Sequence, residues 1–373
     1  MPKSIMIIGC GFVGHQLVDD LVNKGYSPKD IHLVDEYEHQ IDIEREKYPD
    51  INFLLEDITK TDRIIDYLKY NKSIDTIIYT AAVKHINLAQ SNIPRTLDVN
   101  TIAYDNLLRG IIDLTSGENC LHNTGVQRSY TVVYLSTDKA PNPVSVYGNS
   151  KLLSEFIGQH YASIVDESKL KVYTLRYGNV LLAAGSVIKK FIQDIENSRP
   201  IKITNLDMLR YMLPDRLAIS MIEELIGIKT DGNYLYSNLR SGDVVVPSMV
   251  PTAKIGTLAC AINKHFKGRF CMPEVENIGV RPGERLSEVM ITKAEEQRIK
   301  KFISLDIAYL NKVKEDDDHY MFNLWRIPKT NEISVVPEVD ELYAEGLLEG
   351  GVGLEMNTEQ LYEWLYKWGI FDG

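Results

Sequence analysis

Tyr147 and Lys151 stand four residues apart in the run Ser136–Lys151, STDKAPNPVSVYGNSK. On a helix that spacing puts both side chains on one face, one turn apart. An ammonium beside a phenol favours the phenolate, so the pair has the makings of a base tuned toward neutral pH. Just upstream, Thr137, Asp138 and Lys139 follow the apolar run Thr131–Leu135, TVVYL, which reads as a buried strand. A hydroxyl, an acid and an amine thus sit at a strand's C-terminal end, where open α/β sheets bind ligands. Either pair alone also fits a solvated helix face or a strand-end ion pair, so their weight rests on what surrounds them.

The first half of the chain alternates short β-branched runs with amphipathic stretches. Strands are expected at Ser4–Ile8, Ile31–Val34, Asn52–Leu55, Thr76–Tyr79, Thr131–Leu135 and Val172–Arg176, with helices such as Phe12–Lys24 and Thr59–Tyr70 between them. Strands separated by helices predict the α/β class, a Rossmann-like doubly wound parallel sheet. A long helix is expected from about Pro94 to Thr115, then a polar loop, Ser116–Ser129. After Arg176 the pattern loosens into a mixed lobe, with a returning strand at Asp243–Pro247 and a helix at Ile255–His265. The acidic run Glu315–Asp318 reads as a solvated loop, and no metal site is expected.

Gly9-Cys10-Gly11-Phe12-Val13-Gly14 fits G-x-G-x-x-G, following one expected strand and opening a helix. Gly9 permits the tight turn, Gly11 lets a pyrophosphate approach, and Gly14 lets helix and strand pack closely. The helix N-terminus then faces phosphate charge. Asp35 ends the second strand 21 residues beyond Gly14, where a carboxylate accepts from ribose hydroxyls and repels a 2′-phosphate. NAD is therefore favoured, with NADP the alternative. Asp57 is placed either to cap the adenine edge or to N-cap a helix from Ile58 onward. The expected division is a dinucleotide-binding domain of residues 1–182 with a returning segment of about 231–266. A smaller mixed α/β substrate lobe takes residues 183–230 and 267–373.

The 373 residues suffice for two lobes. With 52 acidic against 41 basic residues the net charge is −11, which argues against nucleic acid or an anionic membrane as partner. Cys10, Cys120, Cys260 and Cys271 form no C-x-x-C pair and no metal-ligand spacing, which fits idle thiols in a reducing cytoplasm. The N-terminal apolar stretch is too short for a signal-peptide core, and no segment approaches the roughly 20 apolar residues that span a bilayer.

With these parts placed, the chain resembles the extended short-chain dehydrogenase/reductases, more narrowly the nucleotide-sugar 4,6-dehydratases, and best the C5-inverting UDP-N-acetylglucosamine 4,6-dehydratases. The motifs that carry the resemblance are Ala81–Ile86 (AAVKHI), STDKAPNP with YGNSK, Leu175–Val180 (LRYGNV), Gly185–Phe191 (GSVIKKF), Pro247–Ala259 (PSMVPTAKIGTLA) and Arg281–Ile291 (RPGERLSEVMI). They span roughly residues 4 to 300. The STDK string separates the chain from the 4-epimerases, which lack the acid–amine pair. Departures are Ile8 where a glycine is usual, a loop after Asp35 without the arginine of NADP-type relatives, and Ser287 where a histidine is frequent.

The resemblance implies roles. Tyr147 takes the C4 hydroxyl proton, Lys151 lowers its pKa and orients the nicotinamide ribose, and Thr137 aligns the sugar hydroxyl or the tyrosine. Lys139, neutral, takes the C5 proton, while Asp138, also neutral, protonates the departing C6 hydroxyl. Phe12, Val13, Ile58, Ala81, Ala82, Lys84, Asn100 and Tyr177 join the glycines, Asp35, Asp57, Tyr147 and Lys151 around the dinucleotide. Lys84, Asn179, Ser186, Arg210, Arg281 and Glu284 are implied for the UDP-sugar, Arg281 on the diphosphate and Glu284 on the uridine ribose. His85 receives no chemical step. The cofactor is expected to be tightly bound and recycled, and a homo-oligomer, dimer or hexamer, is expected. The rivals are a retaining dehydratase, a 4-epimerase and a non-catalytic NAD-binding module.

Overall fold

Strand β1, Ser4–Ile8, is buried at every position, as a strand covered on both faces must be. It is an interior strand of a parallel array with β2 (Ile31–Asp35), β3 (Asn52–Leu55), β4 (Ile74–Tyr79), β5 (Tyr130–Leu135), β6 (Leu170–Leu175) and, much later in the chain, β10 (Val244–Pro247). The order is β3–β2–β1–β4–β5–β6–β10, all parallel. This is the seven-stranded Rossmann-like sheet that the alternating pattern predicts. The computed structural model describes residues 2–116, 128–183, 185–228, 239–247, 250–296, 300–306, 321–327 and 353–371.

Helices α1 (Phe12–Asn23), α2 (Glu38–Lys47) and α3 (Thr61–Tyr70) link the first strands, and α4 (Ile86–Ser91) and α5 (Ile93–Leu97) follow β4. One sheet face packs on Leu17, Val18 and Leu21 of α1 and on the helix Asp215–Leu225. The other packs on α3, on α6 (Ala103–Ser116) and on Tyr161 and Ala162 of α7 (Val146–Ile164). Strand order reverses between β1 and β4, so a crevice opens outside their carboxyl ends.

The structure departs from the sequence reading in four places. The single helix expected over Pro94–Thr115 is α5, a π-helical turn at Asp98–Ile102, and α6. The wider turn admits the Asn100 side chain to the core, an insertion that periodicity does not reveal. Helix α3 begins at Thr61, not at Thr59. A ribbon of β13 (Lys300–Asp306) and β14 (Met321–Ile327), expected in the substrate lobe, continues the large sheet antiparallel beyond β10 and covers its edge. Conversely, helix Ile255–Lys267, expected with the returning segment, packs on helices Val187–Glu196 and Thr358–Lys367 in a separate apolar cluster. That cluster adjoins a sheet ordered β15 (Gly353–Glu355), β11 (Val250–Lys254), β9 (Leu209–Leu213), β7 (Asn179–Val180). Residues 117–127 of the expected polar loop Ser116–Ser129, the segment 229–238 and the run 315–318 lie outside the described residues.

A buried charge network ties the layers together. Arg176, fully buried, holds Glu155 of α7 at 2.5 Å and Glu295 at 2.9 Å, and donates to the Met290 carbonyl at 2.7 Å. Removing one carboxylate leaves a desolvated guanidinium underpaired. Glu155→Ala is expected to cost about 3–5 kcal/mol in a urea unfolding series. A loss below 1 kcal/mol would show that the network is dispensable.

Candidate functional site

The glycine turn fits what its spacing predicts. Gly9 has φ +101°, and a Cβ there would stand 2.6 Å from the Ala81 amide nitrogen. A Cβ on Gly14 would meet the Gly9 carbonyl at 2.6 Å, whereas one on Gly11 would meet nothing within 4 Å. Two glycines are thus demanded by packing, and the third leaves open space before the N-terminus of α1. Phe12 and Val13 begin that helix, whose Ncap, Gly11, offers no side-chain cap to the first amides. The Asp35 carboxylate accepts from the Cys10 amide at 2.7 Å and from the Tyr37 amide at 2.9 Å. It is held against the turn, a tie that spacing does not show. Burial, aided by the Asp35 charge, pushes the Cys10 thiol up and leaves it inert.

Asp57 is not the cap of α3. It accepts from the Thr59 amide and hydroxyl at 2.9 and 2.8 Å and pairs with Arg95 at 3.0 Å, while Ile58 is buried beneath it. Desolvation opposes these bonds, yet they hold its carboxyl below the usual range.

After β4 the backbone runs along the crevice, with Ala81 donating to the Ile8 carbonyl at 2.9 Å and Ala82 next to it. Asn100 accepts from the Val83 amide at 2.8 Å and donates to Ser150 of α7 at 2.9 Å. Fully buried, it joins the strand exit to the Tyr147 helix and has no open face toward a ligand. Lys84 reaches solvent at the crevice mouth but is walled by protein, and desolvation lowers its pKa. His85, lowered by burial and then by Lys84 and Lys190, stays neutral against Gly185.

The acid–base residues converge at the end of β5. Ser145 caps α7, accepting from Gly148 at 3.1 Å, and Gly148 lets the helix press on the Lys139 carbonyl, 2.5 Å from where a Cβ would stand. That contact places Tyr147 beside the Thr137–Lys139 turn. The Asp138 amide donates to the Tyr177 carbonyl at 2.9 Å, which sets Tyr177 behind the turn, its buried phenol pushed up. Asp138 Oδ1 accepts from Thr137 at 3.0 Å and Lys139 at 2.8 Å, while its buried Oδ2 has no partner. An orphaned buried acceptor in a crevice fits a ligand hydroxyl.

Two electrostatic expectations need correction. Lys151 is not among the groups that oppose the rise of the Tyr147 phenol. Its ammonium donates to the Leu135 carbonyl at 2.7 Å and lies over the Tyr134 ring, and burial drives its pKa to about 7 against the Glu155 charge. Burial raises Tyr147, and the opposing influences are Lys139 and the Thr137 hydroxyl. Nor is Lys139 a neutral amine at rest. Burial lowers its pKa, but Asp138 and Glu288 together outweigh it and hold the cation. Because Lys151 is depressed from 10.5, the unfolded chain binds more protons between about pH 7 and 10.5, so this group adds stability as pH rises through that window. Lys151→Met is expected to shrink the Tm gain between pH 7 and pH 9 by a few degrees in a thermal melt. An unchanged gain would place the titration elsewhere.

Glu288 is a candidate site residue that the sequence alone does not single out. It is 4% exposed, lies 3.7 Å from Lys139, and its pKa is raised by burial against the Lys139 charge. Its only signal was an acid among the apolar residues of RLSEVMI, and its partner is 149 positions away. It belongs to a strap, residues 281–291, that crosses the STDK turn. Arg285 bonds the Asn142 carbonyl at 2.5 Å, and Gly283, φ +84°, fits against Ser145 and Ile86.

The residues implied for the sugar nucleotide are more dispersed. Arg210 is spent on the strap, donating to the Arg285 carbonyl at 3.0 Å and the Leu286 carbonyl at 3.3 Å. Arg281 is 44% exposed and faces Glu284 at 3.6 Å. Ser186 is the N-cap of the helix Val187–Glu196, accepting from Ile188, and Asn179 donates to the Tyr211 carbonyl at 3.2 Å. Lys189 of that helix lies over the Phe12 ring at 5.8 Å, so the second lobe reaches the glycine turn.

A doubly wound sheet with this glycine turn and a Tyr–Lys helix beside its central strands defines an extended short-chain dehydrogenase/reductase, an enzyme class. Comparison of the sequence narrows it. Residues 5–308 match the family model described as polysaccharide biosynthesis protein, and the chain belongs to that family. A protein of Methanocaldococcus jannaschii named "Uncharacterized membrane protein MJ1061" is 26% identical over 82% of this chain and 86% of its own length. The inverting UDP-N-acetylglucosamine 4,6-dehydratase of Campylobacter jejuni is 28% identical over 65% of this chain, which spans 63% of that enzyme. A UDP-glucose 4-epimerase of Rickettsia bellii is 26% identical over 66% of this chain and 64% of its own. Among solved structures, Pen from Bacillus thuringiensis has a TM-score of 0.74 at 19% identity, covering 99% of this chain and 98% of its own. DesIV, a dTDP-glucose 4,6-dehydratase of Streptomyces venezuelae with NAD and TYD bound, has a TM-score of 0.59 at 17% identity, covering 79% and 89%. The relatives that carry an enzyme name here are nucleotide-sugar dehydratases and an epimerase. Among the described residues no helix is long and apolar enough to cross a membrane.

Proposed function

We propose that this chain is a UDP-N-acetylglucosamine 4,6-dehydratase that inverts C5, working on a bound and recycled NAD. The observation that carries the proposal is the Lys139–Asp138 ion pair, 2.8 Å long, beside Tyr147 and Thr137 with one Asp138 oxygen free. The glycine turn, its open face at Gly11 and Asp35 would hold the dinucleotide. When bound, it supplies the removal of hydride from sugar C4 and its return at C6.

The chain's own residues handle protons. Tyr147 takes the C4 hydroxyl proton, with Thr137 and the Lys139 charge easing phenolate formation. The new ketone acidifies C5. One internal transfer along the Lys139–Asp138 hydrogen bond turns ammonium and carboxylate into a neutral amine and a neutral acid. Those are the two forms that the elimination needs, and no proton enters or leaves the site. Drying of the crevice by the sugar favours the neutral pair, since desolvation penalises charge. Lys139 then takes the C5 proton as Asp138 protonates the departing C6 hydroxyl, which leaves as water. With hydride returned at C6, the proton that Tyr147 took goes to C5 from the opposite face, which restores the phenolate, leaves Lys139 and Asp138 as the starting ion pair, and gives the L-arabino 4-keto-6-deoxy sugar. Arg281 and Glu284, paired on the strap, would take the diphosphate and the uridine ribose. The exposed apolar residues Ile93, Ile102, Leu153 and Phe156 on α5 to α7 support a homo-oligomer, and the free thiols Cys10, Cys260 and Cys271 support a cytoplasmic setting.

The similarity to UDP-glucose 4-epimerases favours one second reading, epimerisation at C4. Mass spectrometry of the product separates the two. A dehydratase yields a sugar nucleotide lighter by one water, and an epimerase yields one of unchanged mass.

A further inference from the structure

A second charged assembly lies at the edge of the crevice beside the glycine turn. Glu36 follows β2, Asp57 follows β3, and Arg95 sits on α5 beyond β4, so three segments bring their charges together. Arg95 Nη2 donates to Glu36 at 2.8 Å, and Nη1 donates to both Asp57 oxygens, at 3.0 and 3.2 Å. Each of the three side chains is about one-third exposed, so the clamp borders solvent. Asp35 precedes Glu36 directly, its carboxylate tied to the amides of Cys10 and Tyr37. This edge therefore holds three carboxylates and one guanidinium whose fork is already filled.

The ligand consequence follows from the chemistry of an adenosine ribose. Free 2′- and 3′-hydroxyls donate to carboxylates, whereas a 2′-phosphate brings negative charge that requires a free guanidinium fork. We propose that the Glu36–Arg95–Asp57 clamp sets the choice between a 2′-hydroxyl and a 2′-phosphate dinucleotide, with Glu36 as the group that denies Arg95 to the phosphate. The clamp rests on the glycine turn holding a dinucleotide and does not depend on the sugar chemistry. It goes beyond Asp35, which repels a 2′-phosphate but offers nothing to replace it. Here the cation that would accept a phosphate is present and occupied. The strengthened basicity of Arg95 beside these two carboxylates agrees with a filled fork.

The test is direct binding, not turnover. Nucleotide-stripped protein is titrated with NAD and with NADP by calorimetry, and melting curves confirm that each variant is folded. Wild type is expected to bind NAD about 100-fold more tightly than NADP. Glu36→Gln keeps the shape of the side chain but removes the charge that holds one guanidinium arm, so that a phosphate can outcompete the weaker amide acceptor. It is expected to tighten NADP about tenfold while changing NAD less than about threefold. Adding Arg95→Met to that variant is expected to erase the gain, and raising salt to weaken it. Glu36→Ser is a second test of the same release should the glutamine variant fold poorly. An unchanged NADP-to-NAD ratio in both Glu36 variants, a wild type that prefers NADP, or a gain that survives loss of Arg95 each overturns the proposal. A wild type that binds neither dinucleotide overturns the glycine-turn assignment and the clamp together, whereas intact binding with no sugar product leaves the clamp standing and sinks the dehydratase assignment.

Discussion

Lys139→Ala is expected to lower release of the dehydrated sugar by about 1,000-fold while oxidation at sugar C4 continues. The split arises because Lys139 exchanges a proton with the sugar only after the ketone exists; before that its charge only eases phenolate formation, so its loss slows C4 oxidation without stopping it. Its ammonium is held between Asp138 at 2.8 Å and Glu288 at 3.7 Å. Without it no amine is left to take the C5 proton, yet Tyr147 keeps its hydroxyl partner Thr137. Two nearly buried carboxylates then face each other without a cation, so a melting curve must accompany the assay. Asp138→Asn provides an independent arm. It removes the acid and the proton that Lys139 hands over, but leaves no like-charge pair. Single-turnover absorbance reports C4 oxidation, and quenched samples report product. Full activity in Lys139→Ala, or equal loss of both steps in both variants, would remove the pair from C5 and C6 chemistry.

Tyr147→Phe stops the reaction earlier. C4 oxidation is expected to fall about 1,000-fold, and no later species accumulates. The phenol is raised by burial, against the influence of Lys139 and Thr137, so it is protonated at neutral pH in the resting crevice. The wild-type oxidation rate should therefore climb with pH as phenolate forms, and the phenylalanine variant should lose that climb. A residual rate within tenfold of wild type with the same pH profile would show that another group takes the C4 proton. Together the two variants order the chemistry, since one blocks both steps and the other only the second.

Much of this site was legible in linear order because its parts are short motifs at strand ends. Gly9 and Gly14 could be read from spacing, and the structure supplies the reason, since a Cβ at either would collide with backbone. The buried run of β1 and its neighbours announced a parallel sheet. What could not be read were partnerships across long separations. Glu288 meets Lys139 only because the strap folds over the β5 turn, and that contact decides the charge of the amine. Lys151 has the helical spacing to approach Tyr147, but the carbonyl of Leu135 and the ring of Tyr134 claim its ammonium. Spacing places two side chains on one face and does not say which neighbour each prefers. Arg95 falls inside the helix expected from about Pro94, and nothing in its spacing points to Glu36 and Asp57, which β2 and β3 bring to it. The π-helical turn at Asp98–Ile102 left no trace in the apolar period, though it is what admits Asn100 to the interior.

The central claim is that oxidation at C4 is coupled here to loss of water across C5 and C6. Proton and carbon NMR of UDP-N-acetylglucosamine incubated with the purified protein and NAD in heavy water tests it most directly. The account predicts a UDP-linked 4-keto sugar with a C6 methyl group, one deuterium at C5 and the L-arabino configuration. Recovery of the starting sugar, or of its C4 epimer with hydrogen retained at C5 and the C6 hydroxyl intact, would contradict it.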